Sequence, residues 1–205
     1  MIRALPQMGW AGIHLDTPSG LSFRREKGGL LINKRNAEPH WEGWFRSGDL
    51  DFGAYADLST FLTDVVEMND RIDFVHPRYA LPRSYTLANW PMANDAELVA
   101  LTNLRTIVVA GLIVGMTLLR GDRFAIRQAG DLVGYRKIAS DVVVTSSLAQ
   151  TLPLTPRLPF NVFAAGASVR FKNPAARLAI VPDSWDADEQ SGPSPLKFDV
   201  TEALA

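Results

Sequence analysis

Between His40 and Pro77 two hydrophobic periods stand back to back, and this constrains the fold more than any other stretch. HWEGWF alternates as a strand does, SGDLDFG turns, AYADLSTFLTDVVEM carries a helical stripe, and RIDFVHP alternates again. The stripe is Tyr55, Leu58, Phe61, Leu62, Val65 and Val66, with Asp57, Thr60, Asp64 and Glu67 on the opposite side. Asp49 or Asp51 can cap this helix. In the strand before it, Trp41, Gly43 and Phe45 share one face, and Glu42, Trp44 and Arg46 the other. A glycine between two large aromatics predicts close approach by another backbone or ring.

The remainder reads as short strands, which makes the chain mainly β with one helix. The 13 prolines and 15 glycines favour frequent turns over further helices. Ile2 to Lys27 reads as a short strand, a loop with turn residues from Asp16 to Gly20 and another short strand, Leu21 to Arg24, and 29–34 as a further strand. Leu104 to Pro159 reads as six strands: 105–110, 112–119, 123–127, 132–138, 141–145 and 151–155. That spacing suits a small barrel or sandwich. Later strands fall at 168–172, 177–182 and 195–200, around a polar loop from Asp186 to Ser194. Pro77 to Asp95, rich in proline, reads as a linker or long loop into a second unit. The expected division is therefore 1–90 plus 160–205 as one domain, with 95–159 inserted as a small β-barrel.

Composition closes several routes to function. The chain has no cysteine, so it has neither disulfides nor thiolate chemistry. Its net charge of −1 provides no field for nucleic acid or anionic lipid. The N-terminus reads as mature sequence without a signal peptide. The most apolar run, Ile107 to Leu119, has 13 residues, short of the ~20 a spanning helix needs. Gly111 and Gly115 lie in it at GxxxG spacing, but its β-branched residues favour two buried strands with a bend.

Catalytic patterns are missing. His14, His40 and His76 stand far apart, with no ligand spacing to one another, and no P-loop, GxGxxG or GxSxG is present. Carboxylates gather at Asp49 and Asp51; at Asp64, Glu67, Asp70 and Asp73; and at Asp183, Asp186, Asp188 and Glu189. Such groups are usually solvated surface, although Asp186 and Asp188 could share a weak cation. Arg120-Gly121-Asp122 reads as a tight turn rather than an adhesion motif. The expectation is no enzyme, no cofactor and no metal. Trp41, Trp44, Phe45, Tyr55, Phe61, Trp90 and Trp185 are candidates for packing and subunit interfaces, since tryptophan is enriched there.

The order of parts carries a resemblance. WEGWF, the helix, NDRIDF, the proline-rich link, LRGDRFAI, YRKIASDVVV, TLPLTPRLP, then SW with its acidic loop and PLKFDVTE resemble the distal tail proteins of siphophages and related tail-like particles, gene transfer agents included. The resemblance covers most of the chain from Trp41 onward. It implies a tail-tube-like β-sandwich with one flanking α-helix and an inserted small β-barrel. It further implies a homohexameric ring at the virion tail tip, assembled in the host cytoplasm, between the tail tube protein and the tail-tip hub protein of the baseplate. DNA would pass through the channel without specific binding, and there would be no membrane insertion. Rival expectations are a carbohydrate- or receptor-binding accessory module, with the barrel presenting Trp90 or Tyr135 to sugar, and another ring such as a head–tail connector.

Overall fold

The computed structural model describes every residue except 7–8, 18–20, 26–30, 36–39, 130–131, 160–161, 186–194 and 204–205, and gives the backbone alone for 21–25 and 31–35. The protein is mainly β. The chain separates into two compact units. One holds Met1–Leu5, Met68–Ala179 and Ala203–Ala205; the other holds Pro6–Glu67 and Ile180–Glu202.

The first unit is built on a closed six-stranded barrel. Its strands are β7 (Ala96–Asn103), β8 (Thr106–Ala110), β10 (Arg123–Gln128), β11 (Leu132–Ile138), β13 (Gln150–Thr155) and β14 (Ser168–Arg170), in the order β10-β11-β13-β8-β7-β14. Closure pairs every strand on both sides and leaves no open edge. Leu98, Ile107, Val109, Phe124, Ile126, Leu152, Leu154 and Val169 are buried in its core. Two of the six strands were not expected there. β7 precedes the first predicted strand, because its alternation AELVALTN follows directly on a proline-rich segment. β14 lies beyond residue 159.

The apolar run from Ile107 to Leu119 also differs from expectation. It holds β8, then a turn at Gly111 (φ +85°) and Gly115 (φ +85°), and only two residues of strand, β9 (Thr117–Leu118), paired with β12 (Val142–Val143). Positive φ at both glycines stops the extended chain. The turn carries Ile113 and Val114 out to solvent.

Pro77 to Asp95 is not a linker. Two 3-10 turns, Pro77–Tyr79 and Leu87–Asn89, shape it. Met92 is buried in the barrel core, with Tyr85 and Trp90 packed against that core. The Tyr85 hydroxyl accepts from the Thr117 amide at 2.8 Å, and the Asn173 amide donates to the Ala80 carbonyl at 2.6 Å. Beside the barrel in this unit, β6 (Arg71–Val75) pairs parallel with β1 (Ile2–Ala4) and antiparallel with β15 (Ala175–Ile180). Asp73 of β6 receives Arg127 of β10 at 3.2 Å and Arg177 of β15 at 2.9 Å. These ties put β6 with the barrel, so the units cut the chain differently from the expected 1–90 plus 160–205 and 95–159.

The second unit centres on β5 (Glu42–Ser47), flanked by β2 (Trp10–Asp16) and β16 (Lys197–Glu202), both antiparallel. The late strand thus meets β5. Phe45 sits opposite Ile13 on one side and Phe198 on the other. Trp10, Phe45 and Phe198 form an aromatic cluster, with ring centroids 5.3 to 5.9 Å apart. The helix α1 (Phe52–Glu67) starts two residues earlier than its pattern suggested. The Asp51 carboxylate accepts from the Ala54 amide at 2.8 Å and caps it, and Leu58, Leu62 and Val65 are its buried stripe. A hairpin, β3 (Leu21–Arg25) with β4 (Leu31–Arg35), leaves the sheet after β2 and returns before β5. Among the described residues it pairs with no other strand.

Candidate functional site

Strand alternation sorts the second unit's residues onto two faces. Trp41 and Phe45 point into the interior and are 1% and 0% exposed, so they are packing residues and unavailable to a neighbour. Trp41 is fixed further by Glu202, whose carboxylate accepts its amide at 3.2 Å and whose own amide donates to the Trp41 carbonyl at 2.7 Å. The opposite face carries His14, Asp16, Glu42, Trp44, Lys197 and Asp199, which line an open cleft of about 570 Å³.

Trp44 is the organiser of that cleft. Its ring lies on Gly12 so closely that a Cβ at Gly12 would sit 2.8 Å from the indole. His14 stacks on it at 5.9 Å between centroids, and the Lys197 ammonium stands 5.5 Å from the ring. Three carboxylates share the cleft's lining with it. Glu42 meets His40 at 2.5 Å, Asp199 meets Lys197 at 3.9 Å, and Asp16 accepts from the Thr17 amide at 2.7 Å. Each keeps further acceptor positions open. Gly43, also in the lining, allows the close approach its flanking aromatics predicted: a Cβ there would fall 1.8 Å from the His14 carbonyl oxygen.

The remaining candidates lie elsewhere. Tyr55 and Phe61 are half-buried on α1, and Trp185 is half-buried near Asp183. Trp90 makes an edge contact with Tyr85 at 5.6 Å. Tyr135 is 1% exposed, and burial pushes its hydroxyl pKa up, against the opposing pull of Arg123, so the barrel does not present it to a sugar. The acidic group Asp186, Asp188 and Glu189 lies outside the described residues.

Several polar residues outside the cleft are structural, Asp70 of the expected surface clusters among them. Asp70 is 4% exposed and binds the N-terminal ammonium and the Arg3 guanidinium, each at 2.6 Å. The ammonium above all, then Arg3, hold its carboxyl below the usual value against the effect of burial. Asp122, 1% exposed, accepts from the Leu119 amide at 2.7 Å and from the Arg83 amide and guanidinium at 3.1 Å each. Arg120-Gly121-Asp122 is therefore a turn with its carboxylate turned inward. Arg123 stacks over Tyr79 at 3.7 Å, and His76 caps the 3-10 turn beside them. Burial, then Arg123 and Arg78, lower the His76 pKa to about 4.

Among the described residues no three His, Cys, Asp or Glu side chains converge as a metal site, and no helix is long and apolar enough to cross a membrane. No family model matches the chain, and no curated protein matches it significantly.

Proposed function

We propose that this chain is a structural ring subunit of a phage-type tail, the distal tail protein that joins the tail tube to the tail-tip hub. In this reading six copies form the ring, heterologous contacts close it, and DNA passes through its channel without a specific site. The observation that carries the reading is the β3–β4 hairpin. Among the described residues this hairpin pairs only with itself, an arrangement that gains little stability in isolation; in this reading a neighbouring subunit supplies the surface it lacks. The β-rich architecture and the order of sequence parts from Trp41 onward support it as well.

The accessory sugar-binding reading has to work without a solvent-facing Tyr135, with Trp90 half-buried and Trp44 in an open cleft. A head–tail connector shares the assembly logic and differs in position.

The test is native mass spectrometry and negative-stain imaging of the purified chain, alone and with tail tube and hub proteins. Six-membered rings, with antibody label at the distal end of the particle, are the expected result. A strict monomer under every condition overturns the reading; label at the head-proximal end selects the connector.

A further inference from the structure

The outer face of the β2–β5–β16 sheet is arranged in rows that run across the strands. His14 and Asp199 are the two register partners of Trp44 and make the middle row with it. Asp16, Glu42 and Thr201 form the row on one side, and Gly12, Arg46 and Lys197 the row on the other. Arg46 stays on this face with the indole, since a Cβ at Gly12 would meet the Trp44 ring at 2.8 Å and the Arg46 Cβ at 3.9 Å. Rows two residues apart along a strand are separated by about 7 Å. One indole is thus bracketed by acceptors on one side and cationic donors on the other, over a span that suits a six-membered sugar ring. The cleft of about 570 Å³ that it occupies lies wholly within the second unit.

We propose that this cleft binds a neutral pyranose sugar, its C–H face laid on Trp44 and its hydroxyls shared between the carboxylates and the cations. The charges select against an ion. A phosphate seated on the indole meets Asp16, Glu42 and Asp199, whereas a guanidinium or ammonium meets Arg46 and Lys197, and a like charge at close range is unfavourable in either case. A sugar hydroxyl donates as well as accepts, so it satisfies both rows without a net charge of its own. An apolar platform with a few convergent polar groups is the usual make-up of a small-molecule site. Lys197 stands 5.5 Å from the indole and 3.9 Å from Asp199, and its side chain is 57% exposed, so it swings aside at little cost and then donates to the ligand. The site needs no second copy of the chain and stands apart from the ring reading. It also differs from the barrel aromatics Trp90 and Tyr135, which pack within the other unit.

Saturation-transfer NMR of the full chain with the methyl pyranosides of glucose, galactose, mannose and N-acetylglucosamine tests this, followed by titration calorimetry of the strongest. At least one is expected to bind, with saturation greatest at its ring C–H protons. W44A should weaken that binding by roughly tenfold or more, because the platform is gone. E42Q/D199N should weaken it by roughly threefold to tenfold, because charged acceptors become neutral ones. Those two side chains are 50% and 49% exposed, so this variant keeps the sheet folded and reads the site even where W44A disturbs it. Guanidinium and inorganic phosphate serve as ion controls and should bind more weakly than the sugar. Binding of none of the four sugars overturns the proposal, as does tighter binding of either ion or sugar binding that both variants leave unchanged. A chain that forms rings but takes no sugar fails the cleft alone; a strict monomer that takes sugar through Trp44 fails the ring alone.

Discussion

The barrel and the β2–β5–β16 sheet treat the edges of β-structure in opposite ways. The barrel returns on itself until every strand has two partners, and it fills its inside with apolar side chains. The sheet keeps one face for an aromatic core and turns the other, studded with charge, toward an open cleft. Its hairpin adds two strands that pair with each other and, among the described residues, with nothing else. Closure spends the backbone's hydrogen-bonding capacity within the chain, whereas an open edge keeps it available to another molecule. The barrel thus keeps its pairing within itself, and the open cleft and the self-paired hairpin belong to the other unit.

The largest expected effect breaks the sheet side of this contrast. Gly43→Ala drives a Cβ into the His14 carbonyl, so β2 and β5 must separate; a loss of about 4 kcal/mol or more is expected in denaturant unfolding. On the barrel side, Asp122→Ala strips the Leu119 and Arg83 amides of their acceptor in a buried turn and should cost about 3 kcal/mol. Asp122→Asn, which keeps one acceptor oxygen, should cost less.

His76→Asn sharpens the contrast through pH. The His76 pKa is about 4 in the folded chain, below its ordinary 6.5, so the unfolded chain takes up the proton first. Its contribution is complete above about 6.5 and is lost as pH falls toward 4. Discounted for partial exposure, that amounts to roughly 1–2 kcal/mol. Asn can replace the cap, so the variant should flatten this part of the stability–pH curve while leaving neutral-pH stability nearly unchanged. The smallest effect is Trp44→Ala, on the outer face, which should change unfolding stability by about 1 kcal/mol.

The sequence revealed those features that local chemistry decides. The helix stripe, the Asp51 cap and the aromatic alternation of Trp41 and Phe45 were legible because each depends on neighbours within a few residues. The barrel's extent was not. β7 and β14 take their partners from distant segments, and a three-residue strand such as Ser168–Arg170 has too few residues to display a period. Tyr85, Trp90 and Met92 looked like linker residues because no regular spacing marks a strap that packs by irregular contacts. The cleft was half legible. The outer placement of Trp44 and Glu42 followed from alternation, but the arrival of His14 depends on pairing across 30 residues, and that of Lys197 and Asp199 on pairing across more than 150.

The hairpin's attachment has an evolutionary consequence. The chain leaves β2 at Asp16 and rejoins β5 at Glu42, and those two residues are themselves a register pair. A residue gained or lost within β5 would invert every side chain beyond it. One gained or lost between residues 18 and 39 leaves the Asp16–Glu42 pair and Trp41 in place, at a small entropic cost. That segment can therefore drift in length and charge while the body that bears it stays fixed.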